Sequence, residues 1–194
     1  MSKIAVFLAP GFEEIEALTP VDYLRRAGQD VVTVSVPSAD SDEISSIVTG
    51  SHNIPVIADV VLEDFKAELS SSLPDAIYFP GGMPGASNLA ANAYLLDLVK
   101  KMNENGKLVC AMCASPAVVL SKTNVLSDRK WTCYPGMNDG IPFGSHVADV
   151  PFVYDKNLLT GRGPGTAEQF AMKFVEILAG SEVAKKVHDG SCQR

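Results

Sequence analysis

The stretch Lys107-Leu-Val-Cys-Ala-Met-Cys113-Ala-Ser-Pro-Ala-Val-Val-Leu120 sets the reading of the whole chain. An apolar run halts at a cysteine and a helix-like segment begins at once, which places Cys113 on a strand-to-helix turn. Such a turn lifts a side chain off the sheet and aims the free N–H groups and positive end of the next helix toward it. Cys113 is therefore the candidate nucleophile, and its thiolate is expected to be favoured there. Cys110-Ala-Met-Cys113 also matches C-x-x-C, but residues i and i+3 of a strand point to opposite faces, so Cys110 is read as core.

The pattern repeats on both sides of this unit. Ile4-Ala-Val-Phe-Leu-Ala9 is a continuous apolar run closed by Pro10-Gly11, as in a buried parallel strand. Phe12–Ala27 has mostly helical spacing, acids early, Arg25 and Arg26 late, and Gly28 as the stop, with a kink expected at Pro20. Val31–Val36 completes a crossover unit. Residues 45–57 read as a hairpin turning at Thr49–Asn53, and Asp75–Phe79 as a strand stopping at Pro80-Gly81-Gly82. Helical cover is expected from Leu89 to Gly106 and again from Cys113 to about Lys122. Extended segments follow at 130–134, 145–154 and 157–160. A last helix runs from the Gly163–Thr166 turn to Gly180, leaving a frayed tail at about 188–194. Alternating strands and helices with buried-type strands predict a single α/β domain over residues 1–194, a sandwich with a mainly parallel sheet.

Bulk properties narrow the partners. The 194 residues are 46% hydrophobic and 20% charged, with a formal charge of −7. Neither Lys nor Arg forms a run longer than two, so a nucleic-acid or anionic-membrane surface is not expected. No apolar segment approaches the roughly 20 residues of a membrane span, and no signal-peptide pattern is read at the N-terminus. Four cysteines are too few for a disulfide scaffold, which makes a reducing cytoplasm the expected location. No metal is expected, because Cys133, Cys192, His52, His146 and His188 show no paired spacing.

Ligands of an open parallel sheet bind outside the carboxyl ends of its strands. Three such ends carry chemistry here: Pro10-Gly11 leading to Glu13-Glu14-Ile-Glu16, the Gly81-Gly82 pair, and Cys113. Glu13 and Glu14 read as solvated dipole partners. Glu16, between Ile15 and Leu18, is expected to face inward with a raised pKa, because a protonated carboxyl donates to a thiolate whereas an ionised one repels it. The glycine pair offers backbone N–H donors for an oxyanion.

Ala9-Pro-Gly-Phe-Glu-Glu-Ile-Glu16, Pro80-Gly-Gly-Met-Pro-Gly-Ala-Ser-Asn-Leu89, Cys113-Ala-Ser-Pro-Ala117 and Gly161-Arg-Gly-Pro-Gly-Thr166 together resemble the ThiJ/PfpI superfamily, on the branch of the parkinsonism-associated protein deglycase. The resemblance runs from about residue 3 to 187. It implies a flavodoxin-like three-layer sandwich, a homodimer, no cofactor, and a reactive Cys113 hydrogen-bonded to a protonated Glu16. It also implies an oxyanion pocket from the backbone N–H groups of Gly82 and Ala114, beside which Gly81 and Tyr134 are the further candidates for oxyanion or substrate binding. The activities implied are a glutathione-independent glyoxalase turning methylglyoxal into lactate, or a deglycase, on small reactive carbonyls. The alternative implied is a redox-responsive stress protein or chaperone with Cys113 oxidised to a sulfinate. Two positions depart from the branch: Tyr134 stands where a histidine is expected, and His52 where an arginine is. Ala114 occupies the place of the histidine that follows the cysteine in the PfpI peptidases, so no Cys-His protease dyad forms locally.

Overall fold

The computed structural model describes residues 1–41, 43–68 and 72–193. Strand β1 (Lys3–Leu8), helix α1 (Glu14–Arg26) and strand β2 (Asp30–Ser35) form the expected opening crossover, with β1 and β2 parallel. The hairpin is present as β3 (Ile47–Thr49) and β4 (Pro55–Ile57), antiparallel. After it come β5 (Val60–Val61), α2 (Leu62–Glu68), β6 (Ala76–Phe79), α3 (Gly85–Ala91), α4 (Ala93–Glu104), β7 (Leu108–Met112) and a single-turn α5 (Ser115–Val118). The last third holds β8 (Lys130–Trp131), β9 (Ser145–His146), β10 (Phe152–Asp155), β11 (Leu158–Gly161), α6 (Ala167–Ala179) and α7 (Ser181–Gly190).

Seven strands join in the order β10-β11-β7-β6-β1-β2-β5, with only β10 antiparallel to its neighbour. The strand order reverses between β1 and β6, so the loops leaving those two strands part to opposite sides of the sheet and open a crevice. Side chains alternate between two cores, which is why the strand sequences are apolar throughout rather than at every second position. On one face Val6, Leu8, Tyr78 and Cys110 pack under α1 and α6, where Leu24, Phe170 and Phe174 are fully buried. On the other face Phe7 stacks on Phe79 at 5.2 Å and meets Phe65 of α2 edge-on at 5.3 Å, with Leu95 and Val99 of α4 alongside. This is the α/β three-layer sandwich that the sequence predicts.

Helix α1 runs through Pro20 without interruption. Proline lacks the N–H that would bond the carbonyl four residues earlier, which is that of Glu16. The buried Tyr78 hydroxyl donates to that carbonyl instead, at 2.8 Å. A helix defect thereby becomes an anchor that ties α1 to β6 at Glu16.

Several expected elements are redrawn by the structure. The single helical cover from Leu89 to Gly106 is two helices, broken at Asn92, whose side chain accepts from Leu95 N to start α4. The segment after Cys113 gives only α5 and a 3-10 turn at Leu120–Lys122. Of residues 130–134 only Lys130 and Trp131 pair as strand, because Thr132 N turns to the hydroxyl of Thr160 at 2.9 Å. Residues 145–154 split into β9 and β10. Gly180, at φ 86°, does stop α6, but the chain restarts as α7 and buries Ala184 and Val187 on the α1 side, so the frayed tail expected from 188 is helical through Gly190.

The loop after β1 depends on a close approach at Gly11. Its φ is 85°, and a Cβ there would lie 2.5 Å from Pro84 Cδ and 2.7 Å from Pro84 N. Gly28 has a similar φ of 71°, yet a Cβ on it would meet nothing within 4 Å. Gly28→Ala is therefore expected to cost only the left-handed penalty of about 1–2 kcal/mol. Gly11→Ala adds a packing clash of about 1–3 kcal/mol. Denaturant titration of the two variants checks this, and equal losses would mean that the contact with Pro84 is unimportant.

Candidate active site

Cys113 sits immediately after β7 with φ 59°, a backbone conformation rare for a residue with a side chain. Its N–H donates to Gly161 O and its carbonyl accepts from Tyr134 N, both at 2.9 Å, so the strained turn is held from the β11 side and from the loop after β8. Next to it the Ser115 hydroxyl donates to Pro80 O at 2.6 Å and ties the start of α5 to the end of β6. The positive φ takes Cys113 out of the strand's alternation. Cys110 and Cys113 consequently face the same core, contrary to the opposite-face reading, although Cys110 is fully buried and free.

Glu16 reaches this turn from the first turn of α1 and is completely buried. Its Oε2 accepts from Gly81 N at 2.8 Å, while Oε1 has no hydrogen-bond partner among the described residues. The Cys113 thiol lies beside this carboxyl, and its interaction and the Gly81 bond both favour the carboxylate. Burial outweighs them and raises Glu16 from its ordinary 4.5 to about 7, as the sequence predicts. The fit is tight: a Cβ on Gly81 would lie 2.6 Å from Cys113 Cβ and 2.7 Å from Glu16 Oε2.

The thiol behaves differently from the sequence expectation. Burial first, then the charge and hydrogen bond of Glu16, push Cys113 well above an ordinary thiol, and the N–H groups of Gly82 and Ala114 pull it back only in part. The turn therefore does not by itself make a thiolate. Thiolate is available when Glu16 keeps the proton, so the two groups act as one acid pair. Gly81 is also reassigned, since its N–H serves the carboxyl of Glu16, leaving Gly82 and Ala114 as the donors directed at sulfur.

Glu13 and Glu14 are not solvated but 8% and 4% exposed. Glu13 Oε2 caps α1 by accepting from Glu16 N at 2.7 Å. The hairpin turn closes over Glu14, whose two oxygens accept from His52 N at 2.7 Å and pair with the His52 ring at 2.8 Å. Burial opposes ionisation of Glu14, but the His52 bonds prevail and hold it below the usual carboxylate range, while His52 is raised by the same partner. Ligand atoms of Glu13, Glu14 and His52 approach within 4.8 Å of one another, with the carboxylates already committed to these caps. His52 itself is exposed, and Tyr134, 48% exposed, lays its ring beside Gly163.

Tyr78, Ser115 and Asn88 support the site and were not singled out in the sequence. Asn88 donates to Pro10 O at 2.9 Å and accepts from Ala39 N at 3.0 Å, pinning the loop after β1. Only Tyr78 left a sequence signal: Pro20 four residues after Glu16 announces a free carbonyl that something must satisfy.

A carboxyl raised by folding stabilises the native state fully below its unfolded value, and that stability is lost as pH climbs through the folded value near 7. The unfolding free energy of the native protein, measured relative to Glu16→Gln, is expected to fall by roughly 3 kcal/mol between about pH 4 and about pH 8. Denaturant titrations of both proteins across that range test it, and a flat difference would mean Glu16 is not desolvated as described.

The geometry can be set beside known proteins. The DJ-1/PfpI family matches residues 2–177. Protein dj-1beta of Drosophila melanogaster is 38% identical over 192 residues, covering 98% of this chain and 97% of that protein. The glutathione-independent glyoxalase DJR-1.2 of Caenorhabditis elegans is 34% identical, covering 93% and 91%. Among solved structures, a DJ-1 superfamily protein from Salmonella typhimurium superposes over 100% of both chains with a TM-score of 0.89 at 35% identity. An oxidized Toxoplasma gondii DJ-1 does so over 99% and 98%, with a TM-score of 0.85 at 35% identity. The pattern of residues, the sheet order and these matches agree: the chain belongs to the DJ-1/PfpI family.

Proposed function

We propose that the protein is a cysteine-dependent, cofactor-free glyoxalase acting on small reactive carbonyls such as methylglyoxal, as the name of the nematode relative suggests. The observation that carries this reading is the buried Glu16 carboxyl, raised by desolvation and coupled to the Cys113 thiol. In the reactive form of the pair the proton sits on Glu16 and Cys113 supplies the thiolate. Sulfur adds to the aldehyde carbon, and the proton on Glu16 passes to the hemithioacetal oxygen. The Glu16 carboxylate then takes the proton from that carbon to give an enediol and returns it to the neighbouring carbon, while the hydroxyl proton passes from the first oxygen to the second, leaving a lactoyl thioester. Water cleaves the thioester to lactate and restores the thiol, so the sum is methylglyoxal plus water giving lactate. The N–H groups of Gly82 and Ala114 are positioned to follow the negative charge from sulfur to oxygen. Tyr134 can orient the carbonyl but is a poor base at neutral pH. Ala114 beside the nucleophile speaks against a protease.

Lactate should form from methylglyoxal without glutathione. Cys113→Ala should abolish it, and Glu16→Gln should slow it by roughly 100-fold or more. Lactate at the native rate from Cys113→Ala would sink the reading. The same N–H donors and the same proton would also hold a sulfinate on Cys113, a redox role consistent with the oxidized state of the Toxoplasma relative. Under that role mild peroxide converts Cys113 selectively while lactate production stays negligible.

The family reading also proposes a homodimer. Ile15 and Leu18 of α1, and Ile47, Ile54 and Ile57 of the hairpin, are 37–75% exposed on two neighbouring elements. Such an apolar surface suits a second copy of the chain. Ile15→Glu together with Ile57→Glu should convert the dimer to monomer in analytical ultracentrifugation, and a native protein that sediments as a monomer would refute it.

A further inference from the structure

A second cysteine meets a histidine away from Cys113. Cys133 Sγ lies 3.8 Å from His146 Nε2 and 3.3 Å from Tyr134 O. His146 is held there by β8–β9 pairing, in which it sits opposite Trp131, and by an edge-on contact with the Trp131 ring at 5.1 Å. The two thiols belong to different cores, Cys113 to the α1 side and Cys133 to the α4 side. The pair opens on a cavity of about 200 Å³ also lined by Thr132, Asn138, Asp149 and Arg162. Thr132 Oγ1 is fully buried and has no partner among the described residues. Among the described residues the Arg162 side chain is tied only to Asp149, at 2.7 Å, and the Asp149 side chain is 84% exposed, so that bond is weak and open to exchange.

We propose that Cys133 and His146 form a second, base-assisted thiol site that takes small α-oxo carboxylates, with the carboxylate on Arg162. A thiol, a base in reach of it, a spare buried hydroxyl and a guanidinium around one small cavity fit an electrophilic carbonyl beside a carboxylate. Burial pushes the Cys133 thiol up to about 11, so it holds its proton until His146 accepts it. The S–H proton passes to His146, sulfur attacks the carbonyl carbon, and the C=O electron pair moves to oxygen. That oxygen recovers the proton from His146. The product is a hemithioacetal or hemithioketal formed reversibly, with no oxidant.

The chain carries its own reference thiol, the exposed Cys192. The full-length protein is labelled at neutral pH with iodoacetate and, separately, with the uncharged iodoacetamide, and each cysteine is followed by peptide mass spectrometry. The iodoacetate-to-iodoacetamide rate ratio should be about tenfold higher at Cys133 than at Cys192. Arg162→Gln should bring it to the Cys192 value, and His146→Gln should slow both reagents at Cys133 by about tenfold. Glyoxylate should slow labelling of Cys133, and dialysis should restore it. The proposal is overturned if Cys133 reacts only in denaturant, if its ratio equals that of Cys192, or if glyoxylate has no effect. Labelling of the fully buried Cys110 reports an unfolded variant, in which case the native protein's ratio and glyoxylate protection decide alone. None of these readouts depends on Cys113, so the glyoxalase reading stands or falls separately.

Discussion

A fully buried carboxyl group governs this site. Glu16 is wholly buried beside the Cys113 thiol, spends one oxygen on the N–H of Gly81, and leaves the other without a hydrogen-bond partner among the described residues. An ionised carboxylate in that position is costly, and a thiolate beside it more so, because like charges in a poorly solvated space repel strongly. The pair resolves the conflict by sharing a proton. Neither group has an independent acidity, and the sulfur becomes nucleophilic only to the extent that the carboxyl is protonated.

Much of the surrounding backbone holds those two groups at that distance. Tyr78 takes the Glu16 carbonyl that Pro20 leaves free, so the helix carrying the acid is tied to the central strand at the acid itself. Gly81 brings the loop after β6 close enough that any side chain would strike both Cys113 and Glu16. Ser115 and the carbonyl of Pro80 tie the cysteine turn to the same loop. The strained φ of Cys113 persists because its two backbone bonds, to Gly161 and Tyr134, come from separate elements that cannot shift independently.

The topology explains why the groups meet at all. The strand order reverses between β1 and β6, so the loops leaving them diverge, and α1 crosses the gap with Glu16 in its first turn. β7 is the next strand along, and its end delivers Cys113. The hairpin of β3 and β4 folds back over α1 through the caps on Glu14, which buries two acids that an isolated helix would leave in water. The same last third that supports Cys113 from behind also builds the Cys133 and His146 cavity, from β8, β9 and the loop between them.

The apolar runs at Ile4–Ala9, Asp75–Phe79 and Lys107–Met112 were legible as buried strands because burial on both sheet faces demands continuous hydrophobicity, which is a local property of the chain. Cys113 as a turn residue, the helix beginning near Glu14 and the inward-facing Glu16 were legible for the same reason. What sequence could not carry were quantities set by partners distant in the chain. The burial of Glu13 and Glu14 depends on a hairpin some 35 to 40 residues later. The raised thiol of Cys113 depends on how far packing excludes water and on which N–H each glycine gives away. The closeness of Cys133 to His146 depends on a two-residue ladder too short to show as periodicity. Local patterning therefore determined the buried central strands, the opening crossover and the placing of Cys113 and Glu16 at a strand end and a helix start. Tertiary packing decided their ionisation and their neighbours, because desolvation and hydrogen-bond partnership exist only once the chain has closed around them.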